Sequence, residues 1–108
     1  MMDTLTLRAP LTRDRFDLIR QAVARHFLVT AHDITAPNRG TPQVAAARLA
    51  LYALLYERTS ADLLTIARWC GRYHHTTVLD GIQRTRGWEV SAPAYWQALQ
   101  AALREVTL

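Results

Sequence analysis

From Val44 to Tyr56 the chain carries one polar residue, Arg48, in an otherwise apolar run. A helix that is apolar on nearly every side holds its shape only when other elements surround it. The stretch therefore predicts a central buried helix with the rest of the chain packed around it. Thr41 followed by Pro42 makes a good start for it, because a proline in the first turn has no N–H to leave unpaired. The helix should end near Arg58-Thr59.

The flanking segments read as shorter amphipathic helices. Phe16, Ile19, Val23 and Phe27 recur at spacings of three and four, which predicts a helix from Thr12 or Arg13 to Phe27 with Thr12 as its cap. Thr30-Ala31-His32-Asp33 approximates a capping box and predicts one short helical turn. Ala36-Pro37-Asn38-Arg39-Gly40-Thr41-Pro42 has the composition of a loop. Beyond the central helix, Ser60 is the expected cap of a short helix over Ala61 to Cys70, with Leu63, Ile66, Ala67 and Cys70 facing inward and Gly71 stopping it. A further helix runs from His74 or His75 to Arg86, and Gly87 ends it. Ser91 is the expected cap of a last helix whose apolar stripe is Tyr95, Trp96, Leu99, Ala102, Leu103 and Val106. That stripe either closes the same core or docks a partner or a second copy, since a single amphipathic helix must bury its stripe somewhere. Residues 1–11 show no helical period and are expected to form a flexible arm. The chain has no predicted strand, repeat or low-complexity segment.

A length of 108 residues, half of them apolar, suits one domain with a real core. No apolar run reaches the roughly 18 residues that a membrane span needs. Asp3, with no apolar stretch behind it, argues against a secretory signal. A single cysteine, Cys70, cannot form an internal disulfide. These features lead to the expectation of a cytoplasmic, nucleoid-associated protein without a membrane partner. All thirteen basic residues are arginine, which reflects either a need for forked donors suited to phosphate and guanine or a GC-rich coding sequence. Residues 60–87 carry four Arg against two Asp, whereas 88–108 carry one Arg against two Glu. A net charge of +4 is compatible with nucleic-acid binding.

Two short helices joined across Gly71 form a helix-turn-helix pattern, and the second helix of such a pair is the one that enters the major groove. Val78, Leu79 and Ile82 would anchor it. Thr76, Asp80 and Gln83, with Thr77 and Arg84 alongside, fall on the opposite arc. Threonine methyls can meet thymine, hydroxyls and glutamine can pair with base edges, and a helix N-terminus favours phosphate. Arg72 and Arg84 are expected at phosphates. Asp80, four residues before Arg84, either reads a base or orients that arginine.

The stretch His75-Thr76-Thr77-Val78-Leu79 resembles the signature of the origin-box-binding domain of the bacterial replication initiator DnaA. The likeness extends back through Phe16-Asp17-Leu18-Ile19, Val23-Ala24, Asp33-Ile34 and Leu49-Ala50-Leu51, covering roughly residues 16–87. It implies an all-α, Trp-repressor-like helix-turn-helix domain over 12–87, to which the stripe read above adds residues 88–108 as a C-terminal amphipathic helix. It also implies that His75 and Thr76 contact bases, that Thr77 lies beside the DNA backbone, and that Arg39 enters the adjacent minor groove. An arginine suits that place because a narrow minor groove concentrates negative potential.

The departures from the family pattern are equally informative. His74 stands where the family has an aspartate, so a group that accepts from cytosine is replaced by one that cannot do the same job. The loop around Arg39 keeps few basic companions, and the start of the central helix reads Val44-Ala45-Ala46-Ala47 with Arg48 as its one remaining arginine. Fewer phosphate contacts mean weaker, less salt-dependent binding, and different base contacts mean a different target. No Gly-rich phosphate loop followed by lysine occurs, so the initiator's ATPase is expected to be absent.

The expected DNA-contacting set is thus Arg39, Arg48, Arg72, His74, His75, Thr76, Thr77, Asp80, Gln83 and Arg84. Tyr95, Trp96, Leu99 and Leu103 are the expected partner-binding set, with RNA polymerase, a DNA-bending protein or a second copy as the partner. Cys70, His74 and His75 are too few and wrongly spaced for zinc, so no metal or cofactor is expected, and no nucleophile and base can be assembled into an enzyme. The chain reads as a sequence-specific duplex-DNA-binding transcriptional regulator, and the stand-alone relatives it resembles include activators of phage-like gene-transfer-agent clusters. The alternatives are a replication modulator competing for initiator boxes and a protein-interaction module that has lost DNA.

Overall fold

The computed structural model describes residues 8–106, which form an all-helical fold of α1 (Arg13–Phe27), α2 (Ala31–Thr35), α3 (Pro42–Arg58), α4 (Leu63–Trp69), α5 (His75–Arg86), α6 (Trp88–Ser91) and α7 (Pro93–Glu105). As the apolar run predicts, α3 is central, packed against α1, α2, α4, α5 and α7, and α7 also closes against α1. Ala47, Ala50, Leu51, Leu54 and Leu55 of α3 meet Phe16, Ile19, Val23 and Phe27 of α1 and Ile66, Val78 and Ile82 across the bundle, all within one core.

The first three helix starts follow one local rule. The side chains of Thr12, Thr30 and Thr41 accept hydrogen bonds from the backbone N–H groups of Arg15, Asp33 and Val44 at 3.2, 3.1 and 3.2 Å, each satisfying a donor that the helix itself leaves open. The fourth cap differs from the sequence expectation. Asp62, not Ser60, caps α4, its Oδ1 accepting from Thr65 N at 2.9 Å. Ser60 is instead used as a backbone donor to the Ala9 carbonyl at 2.9 Å.

That last bond corrects the flexible-arm expectation for residues 8–11. Ala9 pairs with Thr59 in a parallel bridge, Arg15 Nη1 donates to the Pro10 carbonyl, and Leu11 packs on the core. Residues 1–7 lie outside the described residues.

The C-terminal end also differs in detail. Gly87 ends α5 at Arg86 as expected, but its backbone stays right-handed and it also serves as the N-cap of α6, so the chain passes directly into that short helix. Ser91 lies within α6, its hydroxyl donating to the Gly87 carbonyl at 3.0 Å, and α7 starts from Ala92 with Pro93 in its first turn. Trp88 is thereby turned inward beside Phe27 and Tyr95, with ring centroids 6.0 and 5.3 Å away. The α7 stripe closes the core: Leu99 and Ala102 are buried. Glu105 holds the end of α7 to α1 through Arg25 and through His26 Nε2 at 2.8 Å.

Candidate nucleic-acid interface

The turn between α4 and α5 is built by a glycine and two backbone bonds. Gly71 takes a φ of +74°, a left-handed conformation that glycine adopts without a Cβ clash. Its N–H donates to the Arg68 carbonyl at 3.1 Å, and the Arg72 N–H donates to Ala67 at 2.7 Å. These bonds cap the carbonyl end of α4 and swing the chain into α5. Helix α5 is then clamped from behind: Val78, Gly81, Ile82 and Thr85 are buried. At Gly81 the approach to α3 is so close that a Cβ would lie 2.8 Å from Tyr52 Cδ2 and 2.9 Å from Leu49 Cδ2.

With that face held, the other is presented to solvent. His75, Thr76, Thr77, Asp80, Gln83 and Arg84 are all exposed, so the arc expected from helical spacing is present as a continuous surface. His74 precedes the helix in an extended conformation and supplies no side-chain cap. The N-terminus of this 12-residue helix thus has no side-chain cap, and the helix dipole there favours an anion such as a phosphate. Leu79, expected among the anchors, is 39% exposed and lies at the edge of the packed face.

The charged residues divide into three kinds. Asp80 and Arg84 form an exposed pair, Oδ2 to Nε, at 3.0 Å, the contact through which Asp80 would orient the arginine. Arg72 is half-buried, its Nε donating to the Tyr52 hydroxyl at 3.0 Å, so its guanidinium is held at the mouth of the turn by a residue of α3. Arg39 is exposed on the loop between α2 and α3.

Arg48 must be reassigned. Rather than reaching toward DNA, it is 8% exposed and donates to four backbone carbonyls: Nε to Ile34 at 2.9 Å, Nη1 to Arg39 at 2.7 Å, and Nη2 to Asp33 and Ala36 at 2.9 and 3.1 Å. Burial, and secondarily the nearby Arg72 cation, lower its pKa from the ordinary arginine value. The rigid fork of a guanidinium is what allows one side chain to gather carbonyls from both sides of a loop. Arg48 thus shapes the loop that carries Arg39.

Two residues of the site escaped the sequence reading. Tyr73 is 91% exposed in the turn immediately before His74, an aromatic where turn composition favours small polar groups. Tyr52 reads as core in an apolar helix, yet its hydroxyl holds Arg72. A long-range hydroxyl contact of that kind leaves no trace in local spacing.

The expected partner-binding stripe is largely turned inward. Leu99 is core, Tyr95 packs against Phe27 and Trp88, and Trp96 and Leu103 line a cavity of about 140 Å³ between α3, α5 and α7, together with Ile82, Thr85 and Leu54. The reason is geometric: α7 runs along α1, so its stripe meets the groove between α1 and α3. Cys70 is buried, which pushes its thiol pKa up to about 12. Among the described residues no three His, Cys, Asp or Glu side chains come together as a metal site, and no helix is long and apolar enough to cross a membrane.

Comparison with known proteins agrees with this geometry. Residues 16–85 match the family described as bacterial dnaA protein helix-turn-helix, a span that runs from the fourth residue of α1 to the last residue but one of α5. The chain is also 33% identical over 82 residues to the chromosomal replication initiator protein DnaA of Thermomicrobium roseum, an alignment covering 76% of this chain and 17% of that protein. The chain therefore spans less than a fifth of the length of the curated relative it matches. The match supports binding of double-stranded DNA. The packed α4–α5 pair, the open arc and the family match over most of the chain lead to one assignment: the chain belongs to the bacterial DnaA helix-turn-helix family.

Proposed function

We propose that this chain binds duplex DNA sequence-specifically, with the N-terminal half of α5 in the major groove and Arg39 in the adjacent minor groove, and that it acts as a transcriptional regulator. The observation that carries the reading is the division of α5 into two faces. Val78, Gly81, Ile82 and Thr85 are buried while His75, Thr76, Thr77, Asp80, Gln83 and Arg84 are exposed. A helix whose back is fixed this firmly presents its donors and acceptors with defined spacing, which base reading requires.

The residue at the start of α5 favours a target of its own. His74 is exposed and does not cap the helix, and an imidazole there offers different contacts from the aspartate that the initiator resemblance implies. The regulatory reading, as an activator of a phage-like or gene-transfer-agent cluster, rests on that resemblance and carries no catalysis. The stripe expected to recruit RNA polymerase, a DNA-bending protein or a second copy is mostly occupied by the core, so the reading assigns recruitment to no particular surface. The resemblance of the His75-Thr76-Thr77 start, with the match to a replication initiator, favours one second reading, competition at initiator boxes.

Selection of bound duplexes from a random pool separates these. A motif unlike initiator boxes, lost in His75→Ala and Thr76→Ala, supports a regulator with its own target. Recovery of initiator-like boxes supports competition. No enrichment at low salt refutes sequence-specific binding.

A further inference from the structure

Arg48 and Tyr52 lie four residues apart on α3 and so share one face of that helix. Each fastens a different part of the DNA-facing surface. Arg48 gathers the carbonyls of Asp33, Ile34, Ala36 and Arg39, and so fixes the loop from which the Arg39 side chain leaves. Tyr52 accepts from Arg72 in the turn that starts α5, and its ring meets the Gly81 face of the same helix. Segments about thirty-five residues apart in sequence are thus fastened to successive turns of one buried rod.

The loop is also closed from its far side. Gly40 has a φ of +72°, and a Cβ there would lie 2.8 Å from Val44 Cγ1. The backbone at Arg39 is therefore set on one side by an arginine that binds its carbonyl and on the other by a glycine that nothing larger can replace without a shift.

We propose that Arg48 is a positioning residue for the minor-groove contact: by holding the Asp33–Arg39 carbonyls it fixes where Arg39 emerges relative to α5, and so sets base-pair preference beside the α5 site without touching DNA. The proposal rests on the duplex-binding reading above. Its physical basis is that an arginine discriminates minor-groove width and composition only when delivered at a defined depth and offset. A loop free to move would spend binding energy on ordering and would settle for sequence-blind phosphate contacts. Because the loop and α5 are tied to the same helix, the spacing between minor-groove and major-groove contacts becomes a property of α3.

The test uses the selected duplex with the flanking minor-groove position made A·T, G·C or inosine·C, the last presenting an A·T-like minor groove. Two ratios are measured for each protein: A·T over G·C at the flank, and the α5 site over a single-base variant of it. Wild type is expected to prefer A·T and inosine·C by about tenfold, the size of one well-read base pair. Arg39→Ala should abolish that preference. Arg48→Met should abolish it equally, and the double variant should lose nothing more, while α5 discrimination stays within about twofold, as for a contact not shared with the altered loop. Tyr52→Phe should do the converse, weakening α5-side binding and sparing the flank. If Arg48→Met folds poorly, Gly40→Ala disturbs the loop with Arg48 intact and should erase the same flank preference.

Retention of the flank preference in both Arg48→Met and Gly40→Ala overturns the proposal, as does a further drop in the double variant. A wild-type protein that reads the α5 site with no flank preference overturns it while leaving the duplex-binding reading standing. Loss of both ratios in wild type refutes the two together.

Discussion

The Arg39 carbonyl oxygen accepts a 2.7 Å hydrogen bond from Nη1 of Arg48, so a loop residue expected to enter a DNA groove is held through its backbone by a buried arginine nine residues later. The side chain of Arg39 is thereby left to solvent while its main chain is fixed. Removing the guanidinium takes a donor from four carbonyls, of which that of Asp33 keeps the Ala36 N–H. Arg48→Met should lower stability by about 2–3 kcal/mol, since bonds to a charged donor are worth more than neutral ones but the relieved desolvation of the cation offsets part of the loss. Urea denaturation followed by circular dichroism measures it, and Arg48→Lys, which keeps the charge without the fork, should recover only part of it.

The two glycines of the helix-turn-helix predict opposite kinds of damage. An alanine Cβ at Gly81 meets Tyr52 and Leu49 below 3.0 Å, whereas at Gly71 it meets nothing within 4 Å. Gly81→Ala is an overpacking change and should cost about 1–3 kcal/mol while tilting α5 away from α3. Gly71→Ala strains only its own backbone, at roughly 1–2 kcal/mol. Duplex affinity, compared at a temperature where both variants are fully folded, should fall more for Gly81→Ala.

Helix α1 ends on a residue that is costly for its conformation. Leu28 sits at φ 58° and is 84% exposed, while the Val29 N–H reaches back to Ala24 at 3.1 Å. This is the geometry that glycine ordinarily serves at a helix C-terminus. Leu28→Gly should raise stability by about 1 kcal/mol, the left-handed penalty of a side chain that buries little. An unchanged or lower melting temperature would show that the leucine has a packing role.

Cys70 supplies the pH prediction. Its thiol, normally near 9.0, is pushed up to about 12 by burial, so the folded state disfavours the thiolate. The stability this contributes is full below the unfolded-state pKa and declines as pH rises from about 9 toward 12. At pH 8 a thiol reagent should react only as the chain unfolds, and its rate should track urea concentration. Rapid reaction in native buffer would contradict the burial.

Much of this architecture was legible in local chemistry. Thr12, Thr30 and Thr41 cap the helices that follow them, and the apolar run at Val44 to Tyr56 forms the central rod, because both signals are written in adjacent residues. Ser60 and Asp62 are both acceptable caps two positions apart, and only the geometry of α4 selects the aspartate. Gly87 reads as a stop and does end α5, but the short α6 that follows it, with Trp88 buried, has no local signal of its own. Arg48 was the largest reassignment. A lone arginine in an apolar helix reads as a surface residue, and its true partners are backbone carbonyls of another segment, which have no residue-type signature. The exposed arc of α5 was legible because helical spacing alone separates Thr76, Asp80 and Gln83 from Val78 and Ile82. Tyr52 was not recognised as part of the site, because its contact with Arg72 spans twenty residues.

The central claim is that α5 reads the major groove while Arg39 occupies the minor groove beside it, and methylation interference on the selected duplex tests both in one measurement. Dimethyl sulfate marks guanine N7 in the major groove and adenine N3 in the minor groove. The account predicts interference in both grooves at neighbouring positions, with the major-groove signal weakened in Thr76→Ala and the minor-groove signal lost in Arg39→Ala. Interference confined to one groove, or signals that neither substitution alters, would contradict it.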